Sequence, residues 1–322
     1  MSAWSKGLAK VIATICILVG SAVSALAQTD LKIMAPAAPG GGWDQTGRAL
    51  QAALTSGGIV PKVTVDNKGG AGGTIGLAQF VSSSKGKPDA LIMGGMVMVG
   101  AIITNKSPVN LTQVTPIARL TGEPLVVVVP GGSKIQSMKE LIAQFKANPG
   151  GVSWGGGSAG GSDHILAGMI AQAAGVDSSK VNYIAYAGGG EAQAAILGGH
   201  VTAGISGYGE FAGQIKAGKL RALAISSDKR VPGIDTPTLK EQGIDVELVN
   251  WRAVFGAPGI TDAQKKDLIN AVLKATQTAS WQEALKRNEW TDMYLPGDQF
   301  KTFLDAEQSR IEKIVTDLGL RK

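Results

Sequence analysis

The sequence predicts two α/β domains with a ligand cleft between them. Three observations carry that expectation: short apolar runs alternate with amphipathic helical patterns from residue 28 onward, glycine clusters recur between run and helix, and two extended runs exceed the length of an ordinary strand. With 322 residues, of which 44% are apolar and 17% charged, the chain can bury more than one core.

The expected strands are LKIMAPA, KVTVDN, ALIMGG, PLVVVVP, VSW, VNYIAY, VTAGIS, LRALAIS and VELVNWRAVFGAP, arranged in largely parallel sheets. Among the helices, SMKELIAQFKAN puts Met138, Leu141, Ile142 and Phe145 on one face, and SDHILAGMIAQAAG follows a glycine cluster. From Thr261 the pattern turns helical and more charged, with Asp262 and Asp298 placed as N-terminal caps; these helices are expected to cover one sheet. The runs TPIARLTGEPLVVVVP and VELVNWRAVFGAPG read as crossings between domains. They divide the chain into domain 1 (28–122 plus 249–322) and domain 2 (123–248), joined by a two-strand hinge.

Residues 1–27 read as a cleaved signal peptide. Lys6 and Lys10 precede the apolar run VIATICILVGSAVSALA, which ends in Ala25-Leu26-Ala27 ahead of Gln28. Cys16 is the only cysteine and lies within that run, so the exported chain is expected to have no disulfide, thiolate metal site or cysteine nucleophile. His164 and His200 lack metal-site spacing, and no G-x-S-x-G occurs; neither a metal, a cofactor nor an enzyme activity is expected. The formal charge of +6 is spread over single Lys and Arg residues, which does not suit nucleic acid.

Four glycine turns stand between strand and helix: PGGGWD (39–44), KGGAGGT (68–74), GGGSAGGSD (155–163) and AGGGE (187–191). Helix N-termini at that edge of an α/β sheet offer unpaired N–H groups and roughly half a positive charge, and glycine lets a ligand approach the backbone. The turns nominate Gly40, Gly41, Gly42, Gly73, Thr74, Ser158, Gly160, Gly161, Gly189 and Gly190 as ligand contacts. Trp43 and Asp44 of the first turn are nominated with them, although Trp43 suits either the pocket wall or the core and Asp44 suits a helix cap better. Arg252, on the second crossing, is the cation best placed to grip a carboxylate; Arg48 and Arg119 are further candidates. Two nucleotide motifs fail. Gly155, Gly157 and Gly160 satisfy G-x-G-x-x-G but no acidic residue ends the next strand, and GQIKAGK has Leu220 where a P-loop needs Ser or Thr.

APAAPGGGWDQTGRAL, VDNKGGAGGTIGLAQF, TPIARLTGEPLVVVV, GGGSAGGSDHILAGMI, YAGGGEAQAAILGGHVTAGISG, LRALAISSDKRVPGIDTPTLKEQG and NWRAVFGAPGIT occur in this order. In this the chain resembles the substrate-binding proteins of tripartite tricarboxylate transporters, the Bug receptors. The resemblance implies a type II periplasmic-binding-protein-like fold and a monomeric periplasmic receptor that hands a small carboxylate to a large and a small membrane subunit. It implies that the loops 39–44 and 155–163 hold a carboxylate, with His164 among the candidates, and that 187–191 and the strand end at 205–210, with Gly207 and Tyr208, complete the pocket. Trp43 together with NWR looks closer to the tricarboxylate-type branch, which makes citrate the first ligand expected. A sensor of the same fold and a secreted enzyme are the alternatives.

Overall fold

The computed structural model describes residues 30–321; the expected signal peptide lies outside the described residues. Two mixed sheets share one strand. The first has the order β2 (Val63–Asn67), β1 (Leu31–Ala35), β3 (Ala90–Gly95), β9 (Val249–Gly256), β4 (Thr115–Pro130), with β10 (Thr291–Pro296) also on β4. The second runs β6 (Asn182–Ala185), β5 (Ser153–Gly156), β7 (Ala203–Gly207), β4, with β8 (Leu220–Ile225) also on β4. Strand β4 is valine-rich and almost wholly buried, as a strand covered on both faces should be. Its residues Thr115–Pro124 pair with β9, and Leu125–Val128 pair with β7.

Several expectations need correction. The sheets are mixed: β1 pairs parallel with β2 and β3, and β5 with β6 and β7, but every pairing made by β4 or β9 is antiparallel. The second long run is a strand only over Val249–Gly256, because Leu248 bonds instead to the chain beyond β8, its N–H donating to the Ser226 carbonyl at 2.9 Å. Strand β10 and the helix α9 (Ala279–Arg287) escape the sequence patterns; β10 has no buried alternation, being half-buried or exposed throughout. Neither Asp262 nor Asp298 is a cap. Thr261 caps α8 (Asp262–Thr276) in a reciprocal box with Gln264, and Pro296 precedes α10 (Gly297–Asp317).

The C-terminal helices do cover the first sheet. Trp251 on β9 meets Phe300 and Phe303 of α10 edge-on at 6.2 and 5.4 Å, and its indole N–H donates to Glu307 at 3.1 Å. On the second sheet, α4 (Met138–Ala147) buries Met138, Leu141 and Phe145, with Phe145 edge-on to Trp154 at 5.4 Å.

The remaining helices start from glycine. These are α1 (Gly42–Ser56), α2 (Thr74–Ser83), α3 (Met96–Thr104), α5 (Ser162–Ala173), α6 (Gly189–Leu197) and α7 (Tyr208–Lys216), whose N-cap positions are Gly41, Gly73, Gly95, Gly161, Gly188 and Gly207. None of them has a side-chain cap. Helices α4, α8 and α9 instead take Ser137, Thr261 and Thr278, each accepting a hydrogen bond from the first helical turn.

Candidate functional site in the interdomain cleft

A cavity of about 710 Å³ opens between the two sheets, and all four glycine turns line it. From the first sheet come Gly40, Gly41, Gly42 and Trp43, then Gly69, Gly70, Gly72 and Gly73. From the second come Gly157, Ser158, Gly161 and Asp163, then Gly188, Gly189 and Gly190, and the β7 end with Ser206, Gly207 and Glu210. Asn250 and Arg252 of β9 form the floor. The first-turn N–H groups of α1, α5 and α6 have no intrahelical acceptor and no side-chain cap, so the cavity wall is rich in backbone donors.

Close packing explains two of the glycines. A Cβ on Gly42 would collide with the Arg252 guanidinium, and Gly73, at φ +90°, would put a Cβ 2.6 Å from the Trp43 ring. Trp43 therefore serves both roles foreseen for it: it lines the cavity while only 8% exposed.

Five of the nominated residues do not line the cavity. Asp44 lies inside α1 and turns back on the preceding loop, accepting from the Gly40 N–H at 2.8 Å and from Arg48 and Asn67 at 2.9 Å each. It closes the turn instead of capping the helix. Burial pushes its carboxyl up, but Arg48 and the other donors outweigh that and hold it below its ordinary value. The Thr74 hydroxyl donates to the Ala71 carbonyl at 2.9 Å. Gly160 faces Thr104 of the other domain, and its N–H donates to His164 Nδ1 at 3.1 Å. His164 stacks flat on Tyr183 at 4.1 Å, and burial lowers it to about 4, so the ring is a neutral brace for the turn. Tyr208 packs beside Val126 and Phe211.

The larger surprise is the acidity of the site. Arg252 is the one cation lining the cavity among the described residues, and it is ion-paired with Glu123 of β4, itself hydrogen-bonded to Asn250 at 3.2 Å. Both partners are buried, with side chains 4% and 2% exposed, so the expected free guanidinium already has a carboxylate. Burial raises Glu123 above the usual carboxylate range against the pull of Arg252, and nearby Glu210 and Asp163 push the same way. Asp163 is raised to about 6, chiefly by burial, although it accepts from the Gly157 N–H and the Ser162 hydroxyl at 2.8 Å each. Glu210 accepts from the Ser206 hydroxyl at 2.7 Å, and Glu191 from the Ala187 N–H at 3.1 Å. Sequence reasoning missed Glu123, Asp163, Glu191 and Glu210 because each read as an ordinary polar position. For Asp163 and Glu191 the signal was present in the acid that follows the last glycine by one or two residues in GGSD and GGGE, as Asp44 does in GGWD. Among the described residues no group of three or more His, Cys, Asp or Glu is placed to hold a metal ion.

The family model of the tripartite tricarboxylate transporter family receptor matches residues 48–320. The chain belongs to that receptor family. It is 31% identical to protein BugT of Bordetella pertussis over 297 residues, covering 90% of each chain. Among solved structures, the periplasmic binding protein BugD shares the fold with a TM-score of 0.81 at 23% identity, covering 92% of this chain and 99% of its own. MatC of Rhodopseudomonas palustris with bound malate has a TM-score of 0.79 at 20% identity, covering 89% and 99%. Like these proteins, this Bug-type receptor has two α/β domains around a cleft.

Proposed function

We propose that the chain is a monomeric periplasmic receptor, exported by residues 1–27. It binds a small organic carboxylate without converting it and delivers it to the large and small membrane subunits of a tripartite tricarboxylate transporter. Domain 1 (28–122 plus 249–322) and domain 2 (123–248) would close on the ligand; the division of β4 pairing after Pro124 supports that boundary. The observation that carries the proposal is the set of glycine-started, uncapped helices lining one cavity, which supply donors for an anion. Malate in a structural neighbour is in keeping with that chemistry.

The site residues proposed are Gly41, Gly42, Trp43, Gly73, Ser158, Gly161, Gly189 and Gly207, with Arg252 acting through its pair with Glu123. Citrate fits less well than the sequence suggests, because its three charges would enter a cleft whose lining cation is already neutralised. Thermal denaturation with succinate, malate, glutarate and citrate tests the proposal. A ligand at a thousandfold excess over its Kd adds about 4 kcal/mol of stability. No shift with any small carboxylate refutes the receptor assignment, and turnover of the bound acid would restore the enzyme alternative.

A further inference from the structure

Resting on the carboxylate-receptor proposal, we infer that Tyr183 is a positioning residue for the ligand: its hydroxyl draws the Gly157 carbonyl into the wall, so that the N–H of the same peptide unit, carried by Ser158, faces the cavity. Tyr183 stands on β6 beside Trp154 of β5, outside the cavity lining, and its hydroxyl donates to the Gly157 carbonyl at 2.9 Å. Burial, with Asp163 nearby, raises that hydroxyl well above its ordinary value, so it keeps its proton and remains a donor at neutral pH. In a planar trans peptide the C=O and N–H point opposite ways, so a carbonyl tied to the wall turns the following N–H to the open side. Gly157 and Ser158 both line the cavity.

The hydrogen bonds around the turn agree with that assignment. The Gly157 N–H is taken by Asp163 at 2.8 Å, whereas the Ser158 N–H has no acceptor among the described residues. Gly157 has no side chain to restrict its own backbone, so its two polar groups are held from α5 and from β6. Gly156 does not line the cavity, and ligand approach does not account for it; a Cβ there would collide with the Tyr183 hydroxyl oxygen, so this glycine lets the phenol reach the next carbonyl. The same ring stacks on His164, whose Nδ1 accepts the Gly160 N–H, and one residue of β6 thus supports both ends of the turn. Without the phenol, the Gly157 carbonyl can regain a partner by turning toward water in the cleft, where its oxygen would repel an anion.

The test uses the purified chain, the probes succinate, malate, glutarate and citrate, and Tyr183→Phe, which keeps the stack on His164. Calorimetric titration is expected to show the best-bound probe about tenfold weaker in the variant, the loss of one charge-assisted hydrogen bond, against a fall in melting temperature of about 2 °C or less. At saturating probe, the amide resonances of Ser158 and of Gly42, at the start of α1, should both move in the wild type. In Tyr183→Phe the Ser158 shift should drop to about half or less while the Gly42 shift persists, a split that a general loosening of the cleft does not produce. Unchanged affinity in the variant overturns the inference. A Ser158 amide that ignores the probe in the wild type does the same, as does an equal loss of both shifts, which would make Tyr183 a support of the whole cleft. Failure of all four acids to bind the wild type overturns the carboxylate proposal itself, and this inference with it.

Discussion

Helices that begin at the cleft and helices that begin away from it are started differently. Ser137, Thr261 and Thr278 cap α4, α8 and α9 with side-chain oxygens, the ordinary way to satisfy first-turn N–H groups. At the cleft, Gly41, Gly161 and Gly188 stand in the same position and supply nothing. Helix α10 follows neither pattern, starting after Pro296 without a cap. A cap contributes to the stability of the free protein, whereas an open helix start holds donors in reserve for a ligand. On the proposed reading, the molecule gives up local stability where the ligand would bind and keeps it where it only folds.

The most severe way to break that contrast is to fill the α1 start. In Gly42→Val the new Cβ collides with the Arg252 guanidinium, so either the helix start or the buried Arg252–Glu123 pair must move. Ligand affinity should fall by about a hundredfold or more, the loss of roughly two charge-assisted hydrogen bonds, and calorimetric titration reads it. Retained affinity would mean that the α1 start is not part of the site.

A second effect separates the acids that close the turns. Asp163 is raised from 3.8 to about 6, whereas Asp44 is held low by Arg48 and its other donors. For a raised carboxyl the native state binds the proton more tightly than the unfolded chain does. Its stabilising contribution is full below about pH 4 and is lost as pH rises toward about 6. Wild type should therefore lose about 2 kcal/mol relative to Asp163→Asn between pH 4 and pH 6.5 in urea titrations. Parallel pH profiles would show that Asp163 is not protonated more readily in the folded chain.

How much of this was legible in the sequence follows from the same chemistry. Glycine clusters between strand and helix are local signals, and each of the four turns falls where the pattern put it. Strand β4 was legible from its unbroken valine run, because burial on both faces leaves no alternation to misread. Pairing direction was not: β9 lies antiparallel between β3 and β4 through pairings such as Pro124 with Val249 and Gly95 with Arg252, far apart in the chain, which no local window records. The Arg252–Glu123 pair joins positions 129 residues apart, and the stack of His164 on Tyr183 joins a helix start to a later strand, which helical or strand periodicity does not register.

A milder substitution sharpens the contrast without filling the site. Gly41 has φ −71° and ψ 163°, a conformation open to serine, and its Cβ would sit 3.1 Å from the Ala38 carbonyl, tight but tolerable. Gly41→Ser should give α1 the cap it lacks, adding a few tenths of a kcal/mol to the free protein. The new hydroxyl competes with the ligand for the same N–H groups, so affinity should drop about tenfold. Higher stability with undiminished affinity would show that those donors are not used by the ligand.

The smallest effect belongs to the other side of the comparison. Thr261 caps α8 by accepting from the Gln264 N–H at 3.3 Å, while Gln264 Oε1 accepts from the Thr261 N–H at 2.9 Å. The helix buries Leu268 and Val272 and belongs to the layer over the first sheet, away from the residues that line the cavity. Thr261→Ala removes the side-chain acceptor and leaves the apolar face intact. The expected cost is about 1 kcal/mol of stability, with a fall in melting temperature of about 2 °C for a chain of this size. Affinity for whatever carboxylate binds should stay within about twofold, since no donor in the cleft changes. Should binding weaken as much as in Gly41→Ser, then α8 is coupled to the cleft, and the separation between helix starts that stabilise and helix starts that bind does not hold in this receptor.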